Sequence, residues 1–401
     1  MKSPATELIH HAYEPPGGFA APQPAVHKAS TVIFPNVAAM RARDWKHKTG
    51  YTYGLHGTPT TFTLEERICA LESGKYCVLA PSGLAAIAVA SLALLAAGDE
   101  VLIPDNAYGP NKALALGELQ KFGITHRLFE PLNVKDLGSA ISERTRLVWL
   151  EAPGSVTMEF PDLIGQVRLC KKRGVLCALD NTWGAGIAFN AFDLLPGTGP
   201  LAVDLSIHAL TKYPSGGGDV LMGSIVTIDP ALHERVLLTH MRLGIGVSGN
   251  DCEAVLRALP STWLRYRAHD AAARELAQWC EQQPAFAQVL HPALAGSPGH
   301  EHWQALCGAS DAAAGLFSVV LDERYDAAQV DAFCDALRLF KLGYSWGGPM
   351  SLVVPYELGT MRKGWPAHLT RGTVIRFSIG LEDVADLRAD LQQALTVLPV
   401  G

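Results

Sequence analysis

The chain has 401 residues with a formal net charge of -6, and 48% of them are hydrophobic against 18% charged. That length asks for more than one core, and that composition can fill them. The acidic balance argues against a nucleic-acid partner, which favours a basic face.

The opening stretch, MKSPATELIHHAYEPPGG, lacks the apolar core of a secretion signal. Over residues 1–57 little regular pattern is expected. Proline and glycine recur in YEPPGG and APQP, which reads as an extended arm lying on a neighbouring subunit. From Thr58 the texture changes. TTFTLEERICALESG has helical apolar spacing and stops at Gly74. CVLAPSG reads as a strand and a turn, followed by the buried helix LAAIAVASLALLAA, too short to span a bilayer. Strand EVLIPD, helix GPNKALALGELQKFG, strands THRLFEP and TRLVWLE, helix PDLIGQVRLCKKRG and strand VLCALDN come next. VDLSIHAL and DVLMGSIVTID complete the set.

Strands that barely alternate, separated by helices, predict an α/β fold: a mostly parallel central sheet with helices on both faces. Such sheets bind ligands beyond the carboxyl ends of their strands. This domain is expected over residues 58–249. Residues 250–401 read as a smaller C-terminal α/β domain. It opens with the helical run DCEAVLRALPSTWLRYRAHDAAARELAQWCEQQ and has an antiparallel sheet from LFSVVLD, LVVPYE and TVIRFSIGL. HPALAGSPGHEHW is expected as a loop between its parts. Eight scattered cysteines without a CxxC pair read as reduced, mostly buried thiols of a cytoplasmic protein.

Several residues carry chemistry. Lys212 follows VDLSIHAL and precedes PSGGGD. A lysine against a low-dielectric wall can lose its proton and attack a carbonyl, whereas a lysine at a strand end is otherwise a surface group. Asp180 closes the strand VLCALD. It suits a protonated pyridine nitrogen, or equally a helix cap or turn. Ser82 and Gly83 open an apolar helix whose first N–H groups attract phosphate; a plain serine cap is the alternative. Tyr108 follows EVLIP and can stack on a flat ring or simply fill core. Arg376, among Val374, Ile375 and Phe377, needs a carboxylate, from a substrate or from a structural ion pair. Lysine, carboxylate, phosphate cradle and aromatic face share the carboxyl ends of neighbouring strands, which describes a pyridoxal phosphate site.

Over nearly its whole length the chain resembles the Cys/Met-metabolism pyridoxal phosphate enzymes of fold type I. The motifs are YGLHGTPTTFTLE at Tyr53, LAPSGLAA, NAYGP, EAPGSVTMEF at Glu151, LDNTWGAG, TKY at Thr211, YSWGG at Tyr344 and IRFSIGLED. The YSWGG and PGSVTME forms are more similar to β-lyases than to γ-lyases or γ-synthases. The resemblance implies that Lys212 holds the cofactor covalently, that Asp180 pairs with its ring nitrogen and that Tyr108 stacks on the ring and assists proton movement. It implies phosphate contacts from Gly83, Leu84 and Thr211, and from Tyr53 of an adjacent subunit in a homotetramer. Arg376 would bind the substrate α-carboxylate, with Ser345 and Trp346 lining the pocket. The implied activity is β-cleavage of cystathionine to homocysteine, pyruvate and ammonia. Alternatives are another cysteine conjugate or cysteine as substrate, γ-cleavage, or a non-catalytic regulator. Leu55 stands where many members carry arginine, His56 where some carry an arginine for the distal carboxylate, and Ala209 where many carry serine. His291, His300 and His302 lack a metal-ligand pattern and read as solvated loop histidines.

Overall fold

The computed structural model describes residues 3–10, 18 and 21–399. The YEPPGG stretch therefore lies, apart from Gly18, outside the described residues. The first sheet has seven strands: β1 (Tyr76–Ala80), β2 (Glu100–Pro104), β3 (Thr125–Phe129), β4 (Thr145–Glu151), β5 (Leu176–Asp180), β6 (Leu205–His208) and β7 (Gly223–Thr227). Their order is β1-β7-β6-β5-β4-β2-β3. Only β7 runs against the rest. The carboxyl ends of six strands therefore share one edge, and β7 begins at that edge.

Both faces are covered, which is why the strands are apolar on both sides. Leu64, Ile68 and Leu71 of helix Pro59–Glu72 pack with Val148, Leu150, Cys177 and Leu179 on one face. Ile87 and Ala90 of helix Gly83–Leu94 pack with Val101, Ile103, Trp149 and Ala178 on the other. Thr58 starts the first helix with a reciprocal capping box through Thr61, and Pro59 fits its first turn. Ser82 starts the second, its hydroxyl accepting the Ala85 N–H at 3.0 Å.

The second sheet has five strands: β8 (Phe286–Leu290), β9 (Leu316–Asp322), β10 (Lys341–Leu342), β11 (Leu352–Tyr356) and β12 (Gly372–Ser378), in the order β10-β11-β12-β9-β8. It is antiparallel except for the β10–β11 pair. Its own core includes Phe317, Val319, Phe333, Phe340, Ile375 and Phe377. Cys252, Val255 and Leu256 of helix Gly249–Ala258 belong to the core of the first sheet. Helix Thr262–Cys280 joins the two: Tyr266 packs in the first core, and Ala273, Leu276, Ala277 and Cys280 in the second.

Two expectations are corrected. The first 57 residues are not wholly extended. Helix Pro4–Ile9 forms behind the Ser3 cap, and its Leu8 is buried against the first core. Helix Val37–Arg41 forms behind Asn36. The histidines of HPALAGSPGHEHW are not three solvated loop groups. His291 is fully buried, and burial depresses its imidazole to about 3. His300 begins a helix, His300–Cys307, and stacks on Trp303. Among the described residues no cluster could hold a metal, and no helix is long and apolar enough to cross a membrane. All eight cysteines are free.

Candidate active site

Lys212 lies in the loop after β6. The loop closes on itself: Thr211 N–H donates to Met222 O at 3.2 Å, and Met222 N–H donates to Thr211 Oγ1 at 3.1 Å. Segments flanking the second sheet seat against it. Gly315 N–H donates to the hydroxyl of buried Tyr213 at 2.8 Å. Gly347 has a φ of +77°, and a Cβ there would lie 3.0 Å from Tyr213 N. The YSWGG turn thus needs this glycine both for its backbone shape and for its approach to the lysine loop.

That turn supplies the neighbours of the amine. Lys212 Nζ donates to Ser345 Oγ at 2.9 Å and lies 5.5 Å from the centre of the Trp346 ring. Burial, then the positive charge of Arg376, pull the amine down to about 8, against the opposing charge of Asp180. Near neutral pH an appreciable fraction is therefore the free base that nucleophilic chemistry requires.

Asp180 closes β5, and its Oδ1 accepts both the N–H and the hydroxyl of Thr182, at 3.1 and 2.6 Å. The same hydroxyl accepts Ala209 N–H at 3.0 Å, which ties the aspartate to the lysine loop. Oδ2 has no hydrogen-bond partner among the described residues. Burial raises this carboxyl, opposed by Thr182, His208 and Lys212. Tyr108 follows β2 and is 40% exposed, so its ring is not core. Its N–H donates to Glu151 Oε2 at 2.8 Å, and burial with the charges of Asp180 and Glu151 raises its phenol.

At the start of helix Gly83–Leu94 the N–H groups of Gly83 and Leu84 have no acceptor within the helix. A Cβ on Gly83 would lie 2.7 Å from Ala209 Cβ, so glycine is required where the helix start meets the lysine loop. Arg376 is on β12, opposite Ser318 of β9 and Val354 of β11. Its Nε is buried without a hydrogen-bond partner, and its guanidinium lies 5.4 Å from the centre of the Tyr356 ring. Burial lowers it, and only tyrosines oppose that shift. No structural carboxylate neutralises this cation among the described residues, so the ion-pair alternative has no support.

Tyr53 and His56 stand apart. Tyr53 is 46% exposed. His56 stacks on Trp45 at 4.9 Å, meets Tyr53 edge-on and shares a 2.8 Å hydrogen bond with Thr52. Neither has a hydrogen bond or ring contact with the residues around Lys212. The motif EAPGSVTMEF gives Glu151 no role, yet a carboxylate ending the apolar strand TRLVWLE carries the same signal as Asp180. A cavity of about 390 Å³ lies between Asp105 and the segment Arg362–Ala367. Its Arg362 is already paired with Asp105 and Glu159, and it is not part of this site.

Pyridoxal phosphate requires an amine for its aldehyde, an anion for its ring nitrogen and donors for its phosphate. Lys212, the unpartnered Oδ2 of Asp180, and the free N–H groups at Gly83 and Leu84 meet these needs. A doubly wound sheet with these groups on one edge and a small domain supplying Ser345, Trp346 and Arg376 defines the fold type I class of pyridoxal phosphate enzymes. The chain belongs to the Cys/Met metabolism PLP-dependent enzyme family, whose model matches residues 5–396. It is 34% identical over 394 residues to cystathionine beta-lyase MetC of Escherichia coli, covering 96% of each chain. It is 40% identical over 396 residues to a Rhizobium johnstonii protein provisionally given the same activity, covering 97% of this chain and 94% of that one. Among solved structures, a Xanthomonas oryzae pv. oryzae cystathionine gamma synthase, in complex with aminoacrylate and cysteine, superposes with a TM-score of 0.87. It has 27% identity, with 99% of this chain and 98% of that one covered.

Proposed function

We propose that this enzyme is a pyridoxal phosphate-dependent carbon–sulfur β-lyase that converts L-cystathionine and water to homocysteine, pyruvate and ammonia. The observation that carries the reading is the unpaired, half-buried guanidinium of Arg376, its Nε closed off from water, acting on the depressed amine of Lys212. An α-amino acid presents a carboxylate for the first group and a Cα proton for the second. The β-lyase names of the relatives support the choice of bond.

Bound pyridoxal phosphate supplies an aldehyde that captures the substrate amine and a ring that takes up the electron pair when the Cα–H bond breaks. Asp180 would hold its ring nitrogen, Tyr108 would stack on the ring, and Gly83, Leu84 and Thr211 would hold its phosphate. Arg376 binds the α-carboxylate and fixes which Cα bond faces Lys212. Ser345 accepts from Lys212 Nζ and directs the amine. Lys212 Nζ takes the Cα proton and, with the Tyr108 hydroxyl, returns a proton to the departing sulfur. Trp346 covers the amine and excludes water. We assign Tyr53 and His56 to the site of a neighbouring subunit, reached by the segment 21–56, which has no buried residue. The exposure of Tyr53 and the lack of any hydrogen bond or ring contact from either residue to those around Lys212 support this, as does the homotetramer that the family resemblance implies. We divide the chain into two domains, one per sheet, and move the boundary expected at 249/250 past helix Gly249–Ala258, because Cys252, Val255 and Leu256 lie in the first core. The free thiols fit a cytoplasmic setting.

Incubation of the purified protein with L-cystathionine tests the reading. Pyruvate with homocysteine is expected, and 2-oxobutyrate would mean γ-cleavage. A Lys212→Ala protein that released pyruvate at the wild-type rate would exclude the scheme.

A further inference from the structure

Glu151 closes β4 as Asp180 closes β5, and the two are register partners across that parallel pair. Strand alternation puts Glu151 on the same face as Trp149, and Asp180 on the same face as Ala178. This is the face covered by helix Gly83–Leu94. Neighbouring strands run about 4.8 Å apart. Two buried carboxyls at that spacing do not both ionise without a large cost.

Their surroundings are unequal. Asp180 receives two donors from Thr182 and the favourable charges of His208 and Lys212. Glu151 Oε2 accepts the Tyr108 N–H, and Oε1 lies 2.6 Å from the Ser155 hydroxyl that donates to it. A serine hydroxyl can also accept, so Ser155 serves a neutral Glu151 equally well. Burial and the charge of Asp180 push Glu151 up to about 8. The other titratable groups facing it are Tyr108 and Lys112, both from the segment after β2.

We propose that Glu151 is a positioning residue of this site: it carries the proton of the carboxyl pair, leaving Asp180 as the anion there, and it pins Tyr108 through the backbone N–H. Asp180 is thereby kept charged for a ring nitrogen, and the Tyr108 ring is kept over the site. The inference rests on the reading of Asp180 and Tyr108 given above.

The test uses wild type, Glu151→Gln and Glu151→Ala. Glutamine keeps an acceptor for Tyr108 N–H and cannot ionise, while alanine removes both properties. On the chain without added cofactor, infrared difference spectra of wild type against Glu151→Gln read the carboxyl directly. A protonated C=O band is expected at neutral pH, giving way to a carboxylate band as pH rises through about 8. On the pyridoxal phosphate-loaded enzyme, Glu151→Gln should move the alkaline limb of kcat/KM for cystathionine upward. Glu151→Ala should lower kcat by about tenfold or more with little change in KM. A carboxylate band at neutral pH, or an alkaline limb that Glu151→Gln leaves in place, overturns the proposal. A wild-type protein that binds no pyridoxal phosphate would instead refute the site reading, and the infrared arm would still locate the proton.

Discussion

Arg376 is a cation kept where the fold alone gives it no anion, so its removal should separate stability from function. Replacement by methionine, of similar length, discards a half-buried unpaired charge. Relief of that kind is worth about 1–4 kcal/mol. Unfolding entropy of about 2.1 cal/mol/K per residue converts this to a rise in Tm of about 1 °C per kcal/mol for so long a chain. The same change removes two charge-assisted hydrogen bonds to a substrate carboxylate, each worth about 1.5–3 kcal/mol. The expected loss in kcat/KM is about 10²–10⁴-fold. Calorimetry of Arg376→Met and keto-acid release from cystathionine measure the two arms. Arg376→Lys, which keeps the charge without the planar fork, should lose activity without the gain in Tm. An Arg376→Met protein that melts several degrees below wild type would mean that the guanidinium has a structural partner. One that retains activity within about tenfold would mean that the carboxylate binds elsewhere.

Other outcomes follow from the same geometry. Competitive labelling of the cofactor-free chain with an amine-reactive reagent should titrate Lys212 near about 8, well below the ordinary lysine value of 10.5; coincidence with the surface lysines would refute the burial argument. Glu159 is fully buried, which opposes its ionisation, yet His368, Arg362, Asn106 and Thr157 hold it at about 2 against an unfolded value of 4.5. A carboxyl lowered by folding adds stability that is fully present above the unfolded value and is lost as pH falls toward the folded one. The fall is about 3 kcal/mol, and urea unfolding of Glu159→Gln should show a flatter dependence below pH 4.5 than wild type. Gly347→Ala puts a Cβ 3.0 Å from Tyr213 N at a φ of +77°. It should cost about 1–3 kcal/mol and raise KM for cystathionine, because Ser345 and Trp346 ride on that turn; an unshifted denaturation midpoint would count against the close packing.

Local residue pattern specifies the scaffold and the residues set on its edge. Apolar runs such as EVLIP and VLCALD specify strands covered on both faces, and helices between them make the sheet parallel. The residue closing each strand is then on the ligand-binding edge whatever the rest of the chain does. Lys212, Asp180 and Tyr108 were legible for that reason, and Arg376 because a charge within VIRF must be reckoned with. The pairings come from long-range packing. Glu151 stands beside Asp180 only through the β4–β5 register, the Thr182 hydroxyl joins Asp180 to Ala209, and Ser345 reaches Lys212 from 133 residues away in the chain. His291 and Leu8 are buried by segments distant in the chain, which their local, loop-like surroundings did not announce. Short-range pattern reports what one segment can bury. Partners brought together from many residues apart decide how much of a group's charge survives, and that balance exists only in the folded chain.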